Sequence, residues 1–127
     1  VDTPAGLHGW RFKDVMKMAD KIIVPVQPSV FDIFATGAFI DELASNKHAD
    51  RNKIALVGMR VDGRTIAADK LHAFIDSTGL PVLSYLRDTQ NYVHLAAHGL
   101  TLFDVPPSQR FEKDLEQWKP ICDWLDA

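Results

Sequence analysis

Cysteine occurs once in the 127 residues, at Cys122, so neither an intrachain disulfide nor a cysteine-based zinc site is available. A reducing, cytoplasmic setting is the expectation, with Cys122 a small helix residue on a partly buried face. No apolar run approaches the roughly 20 residues needed to cross a bilayer. The run Ile22 to Val26 has the length of a strand. A charged segment followed by an apolar stretch is missing from the N-terminus, which predicts no signal peptide. Internal repeats and low-complexity tracts are missing too. Nor is there an excess of positive charge: 14 Lys and Arg stand against 17 Asp and Glu, a formal net charge of -3. A global basic field is excluded, and nucleic-acid binding would need a local patch.

What is present is the composition of a globular chain, 46% hydrophobic and 24% charged. Residues 1–127 are one domain's worth of chain. Short β-branched runs alternate with helical patterns. Lys21 to Val26 reads as a strand apolar on both faces, ended by Gln27-Pro28-Ser29. Phe31 to Leu43 follows at helical spacing, with Phe31, Ala35, Ala38, Phe39 and Leu43 on one face. Asn46 to Asn52 is polar and reads as a loop. Lys53 to Met59 is a second buried strand, and Arg60 to Arg64 a turn around Asp62-Gly63.

Thr65 is placed to cap a helix whose apolar side is Ala67, Leu71, Phe74 and Ile75. Gly79 and then Pro81 end it. Pro81 to Leu86 is a third strand, and Asp88 to Ala97 a helix closed by Gly99. Leu100 to Val105 fits neither period. Ser108 caps a last helix with Phe111, Leu115 and Trp118 on one face, and Pro120 is expected to begin a separate helical turn. This alternation predicts an α/β fold, a parallel sheet with helices on both faces. Ligands gather at the carboxyl ends of such strands. The segments to watch are therefore Val1 to Gly9, Gln27 to Ser29, Met59 to Arg64 and Arg87 to Asn91.

Asp2-Thr3-Pro4-Ala5-Gly6 opens the chain. An Asp followed by a tight Pro/Gly turn suits a magnesium-phosphate site. The carboxylate holds a metal-bound water, and the glycine N–H approaches phosphate without a Cβ in the way. The same residues also make ordinary surface turns.

Val1 to Leu7 resembles the Walker B and switch II segment of ParA/MinD ATPases, where a hydrophobic strand ends in Asp-x-Pro-Ala/Pro-Gly. Ala19 to Ser29 resembles the family's next strand and its Pro-x-x-Pro turn. Gly58 to Thr65 is similar to the loop near the nucleotide base, and closer to the ParA type than to MinD. Arg87 to Val93, with Ala96, Ala97 and Gly99, resembles the stretch after the last core strand. The resemblance implies a P-loop NTPase fold of the deviant Walker A type, incomplete at its N-terminal side. It implies an ATP–Mg-dependent homodimer that positions DNA or other cargo and hydrolyses ATP when a partner protein stimulates it. It implies nucleotide contacts from Asp2, Pro4 and Gly6 at the phosphate end, with Asp2 reaching magnesium through water. Met59, Arg60, Arg87 and Asp88 would contact the base end.

Two departures stand out. No Gly-x-x-x-x-Gly-Lys occurs anywhere, so the phosphate cradle and its lysines are missing. Arg87 stands where the family often has Pro beside the base. The chain alone is expected to bind no ATP and to be inactive. Val1 is not Met and runs straight into a motif, so a fragment of a longer ATPase is expected. Non-specific DNA is a conceivable partner; a membrane is not expected, since the last helix carries Glu112, Asp114, Glu116, Asp123 and Asp126.

Two rival readings share the fold. One is an ATP-dependent biosynthetic enzyme of the cobyrinic-acid or dethiobiotin-synthetase type. The other is a non-catalytic relic that docks on a partner. Smaller signals read more plainly. His94 and His98 have metal-ligand spacing but no third ligand nearby, and read as a helix-surface pair. Arg60, Arg64 and Lys70 gather near one loop. Trp118 and Trp124 read as packing residues. His8 and Trp10 follow the switch-like turn, where either mobility or packing fits.

Overall fold

Runs of aliphatic residues become strands where both faces are covered, and these do. The computed structural model describes residues 1–4, 6, 9–45 and 50–127. In chain order the elements are α1 (Gly9–Met18), β1 (Ile22–Val26), α2 (Val30–Ser45), β2 (Ile54–Val61), α3 (Ile66–Thr78), β3 (Val82–Arg87), α4 (Gln90–Ala97) and α5 (Gln109–Asp126). Short 3-10 turns sit at Arg51–Lys53 and Leu102–Asp104. The sheet order is β1-β2-β3, and both pairings are parallel.

Central β2 is the most deeply buried strand, with Ala55 and Leu56 fully enclosed. On one sheet face, Val24, Val26, Ile54 and Leu56 meet Leu43 of α2 and Leu71 and Ile75 of α3. Helix α1 joins this layer through Phe12 and Met16, and Phe12 meets Phe39 edge-to-face at 5.7 Å. The residues that alternate with these, Val57 and Leu86, pack with Ile121 and Trp118 of α5. A smaller cluster of Leu95, Leu102 and Phe111 ties α4 to α5. Each buried aliphatic side chain is worth about 1.5–3 kcal/mol. The expected α/β class, with a parallel sheet covered on both faces, is therefore what the chain adopts.

Long-range caps fasten the layers. The Lys21 ammonium donates to the Trp124 and Ala127 carbonyl oxygens at the end of α5 and lies 5.0 Å from the Trp124 ring centroid. Arg51 donates to the Thr78 carbonyl at the end of α3, 2.9 Å away. Cationic side chains at helix C-termini satisfy free carbonyls and complement the dipole.

Several expectations need correction. In α2 the inner side holds Ile33, Thr36, Ile40 and Leu43, whereas Phe31 is 87% exposed and Ala35 and Ala38 face outward. Most residues of α2 are apolar, so the sequence offers several stripes and only the sheet selects one. In α3 the buried alanine is Ala68 and not Ala67. Helix α5 runs through Pro120, which lies on the exposed side. The Glu116 carbonyl that loses its donor there belongs to an exposed residue that water can reach. Asp114, read from sequence as a surface acid, is completely buried. Helix α1 was not foreseen, because its apolar stripe is only Phe12 and Met16. Ala5, Leu7, His8 and residues 46–49 lie outside the described residues, and with them part of the switch-like motif, the reading of His8 and most of the 46–52 loop.

Candidate functional site

The parallel arrangement brings the carboxyl ends of all three strands to one edge of the sheet. Gln27 to Ser29, Val61 to Thr65 and Asp88 to Thr89 leave that edge. Each turn is held by a short local device. The Gln27 N–H donates to Asp32 Oδ2 at 2.6 Å. Thr65 accepts from the Ala68 N–H and caps α3, and Thr89 accepts from the Asn91 N–H and caps α4.

Strand β2 runs two residues beyond the expected end, through Arg60 and Val61. A register irregularity falls between Gly58 and Val61. Arg60 takes the left-handed conformation there, with φ 53°, the only non-glycine residue to do so among the described residues. Such a bulge turns the side chain out of the alternating pattern. Arg60 Nε then lies 3.5 Å from Asp88 Oδ1, and both side chains are at least half exposed. The Asp88 N–H donates to the Val61 carbonyl at 3.2 Å, which joins the two strand ends.

The left-handed conformation costs a non-glycine residue about 1 kcal/mol or more. Arg60→Gly is therefore expected to leave stability within about 1 kcal/mol of the parent, since the exposed ion pair it removes is worth about 0–1 kcal/mol. Arg60→Val is expected to cost about 1–3 kcal/mol, because a β-branched residue resists that backbone. Urea denaturation of both variants checks the ranking; equal stability of the two would contradict the strain at this position.

Arg87 turns elsewhere. Its guanidinium meets Asp114 in two hydrogen bonds, Nε to Oδ1 at 2.5 Å and the second nitrogen to Oδ2 at 3.1 Å. Asn91 Nδ2 donates to the same carboxylate at 2.9 Å. The Arg87 N–H donates to Gln117 Oε1 at 2.9 Å. Burial alone would raise the Asp114 carboxyl. Hydrogen bonds from Arg87 and Asn91, with the guanidinium charge, outweigh it and hold the carboxyl below its usual value. Arg87 thus anchors the end of β3 to α5. Sequence reasoning missed Asp114, Asn91 and Gln117 as its partners. A signal was present: Asp114 lies three residues after Phe111 and seven before Ile121, on the apolar stripe of α5.

The remaining candidates are dispersed. Met59 packs into the layer beneath α5 with Val57, Leu86 and Ile121. Asp2, Pro4 and Gly6 are exposed and precede α1, outside any strand or helix, with Gly6 at φ 73°. Arg64 is engaged with Asp62 in its own turn, at 3.0 Å, and this hydrogen bond holds the Asp62 carboxyl below its usual value. Lys70 is exposed and lines a recess of about 160 Å³ with Pro28, Ser29, Val30, Ile33, Ile66 and Ala67.

His94 and His98 meet edge-to-face on the exposed side of α4, with ring centroids 5.2 Å apart. Among the described residues no group of three or more His, Cys, Asp or Glu could hold a metal. Asp2 is an exposed carboxylate, and the sequence holds no Gly-x-x-x-x-Gly-Lys loop to cradle a phosphate chain beside it. The described residues therefore do not by themselves fit ATP–Mg as a complete site. No helix among the described residues is long and apolar enough to cross a membrane. No protein-family model matches this chain, and no curated protein matches it either.

Proposed function

We propose that this chain is the C-terminal part of a ParA-like ATPase for DNA partition or cargo positioning. In the longer protein it would contribute the base side of an ATP–Mg site and act as part of a dimer switch. One observation carries this reading. The strand-end segments that resemble the family, 27–29, 60–65 and 87–91, leave the same edge of one parallel sheet, and Arg60 and Asp88 are joined across it. The phosphate cradle would come from an N-terminal half, beside the edge of β1 that has no strand partner among the described residues. With Arg87 bound to Asp114, Arg60 and Asp88 are the side chains of the base-end set left to face a nucleotide.

Titration calorimetry of the 127-residue chain with ATP–Mg tests the first part, and no saturable heat is expected. The coding sequence upstream of Val1 tests the second. It is expected to encode a Lys-Gly-Gly phosphate loop, and the longer protein is expected to bind ATP with a loss of about tenfold or more on Arg60→Ala. An upstream sequence without a phosphate loop, or saturable ATP binding by the short chain, sinks the proposal.

A further inference from the structure

Helix α4, the Leu102–Asp104 turn and α5 enclose a cavity of about 260 Å³. Leu95 and Leu102, both buried, form part of its wall. Phe103 is 63% exposed and Leu100 is 39% exposed at the same cavity, so apolar surface there stands open to water. The rings of Phe103 and Trp118 have centroids 6.2 Å apart and planes 79° apart. A flat ring laid parallel to either one meets the other edge-on, and aromatic groups favour both arrangements.

The side-chain polar groups of the wall are nearly all engaged. Thr101 Oγ1 donates to Asp104 Oδ2 at 2.9 Å and accepts from the Phe103 N–H. Trp118 Nε1 donates to Tyr92 Oη at 3.2 Å. Tyr92 accepts in that bond, so its own O–H is the side-chain donor that remains. Burial holds the phenol above its ordinary value, which keeps this donor protonated at neutral pH. Among the described residues no charged side chain lines the cavity. A carboxylate entering it would lose its hydration and find no cation in return.

We propose that this cavity binds a small neutral aromatic molecule with one hydrogen-bond acceptor, its ring against Phe103 and Trp118 and its acceptor on the Tyr92 O–H. The volume exceeds the roughly 150 Å³ that takes a benzene and falls short of the roughly 300 Å³ at which drug-sized pockets begin. One ring with a short substituent is the size that fits. None of the strand-end residues takes part, so this site stands or falls apart from the ATPase reading.

Acetophenone, ethylbenzene and benzoate are the probes, titrated into the 127-residue chain with its amide and indole N–H resonances as the readout. Acetophenone is expected to saturate with a Kd of about 0.1–1 mM. It should shift the Trp118 indole resonance and leave those of Trp10 and Trp124 in place. Ethylbenzene has the same shape without the acceptor, and should bind about three- to tenfold more weakly. Benzoate should not bind. Tyr92→Phe should bring acetophenone to the affinity of ethylbenzene and leave ethylbenzene unchanged. Leu100→Trp, which fills the cavity from its exposed rim, should abolish both with the parent circular dichroism. No saturable acetophenone binding, or equal affinity for the two neutral probes in the parent, overturns the proposal. So does binding that survives Leu100→Trp, or a set of shifts that misses Trp118.

Discussion

Arg87→Ala is expected to cost about 3–5 kcal/mol, more than removal of its partner. The reason is an asymmetry of burial. Asp114 is 0% exposed, while the Arg87 side chain is 33% exposed. Without the guanidinium, a fully buried carboxylate keeps only the Asn91 amide, and an uncompensated buried charge is the expensive outcome. Without the carboxylate, in Asp114→Ala, the guanidinium can still reach water, and a cost of about 1–3 kcal/mol is expected.

The pH dependence should change sign between parent and variant. In the parent the Asp114 carboxyl lies below its ordinary value of 3.8. Its contribution is therefore fully present above that value and is lost as pH falls through the lower folded one. In Arg87→Ala burial dominates and raises the carboxyl, so acidification removes a penalty and narrows the gap to the parent. Urea unfolding of parent, Arg87→Ala and Asp114→Ala between about pH 3 and 7 measures both effects. If the two substitutions cost the same at neutral pH, and the gap to the parent does not close toward acid, the carboxylate is not held as described.

Gly58→Ala is expected to destabilise by about 2–3 kcal/mol, although alanine is no worse than glycine in a strand by propensity alone. Gly58 lies buried in β2, opposite Tyr85 of β3. A Cβ at position 58 would stand 2.5 Å from Tyr85 Cδ1 and 3.2 Å from Cε1. The ring has little freedom to yield, since it packs against the core layer and lies 4.2 Å from the His72 ring. Because the obstacle is one ring, the effect should be separable in a double-mutant cycle. In a Tyr85→Leu background the same glycine substitution is expected to cost about 1 kcal/mol or less. An undiminished cost in that background would place the cause in the backbone and not in the ring.

The strands were legible because a parallel strand covered on both faces must be apolar without interruption. Ile22 to Val26 and Ile54 to Met59 met that condition, Pro81 to Leu86 met it but for Ser84, and the strands fall within two residues of the expected limits. Thr65, Gly79 and Pro81 marked the limits of α3 for the same local reason: capping and left-handed termination are decided within a few residues. The end of β2 was not legible. Arg60-Val61-Asp62-Gly63 has the composition of a turn, and only pairing with β3 draws the first two residues into the strand.

The candidate site divides in the same way. From sequence alone, the chain was determined to be an α/β chain, with its chemistry-bearing segments at the carboxyl ends of parallel strands and without a phosphate loop. Those are properties of periodicity and of local motifs, which neighbours in the chain decide. Only the tertiary structure decided that Arg60 meets Asp88, that Arg87 turns away to a buried Asp114, and that the Phe31 side of α2 faces outward. Each of these depends on which of several chemically equal neighbours lies within a few ångströms once the helices have packed. Contacts between positions 27 or more residues apart, such as Arg87 with Asp114, leave no period in the sequence to read.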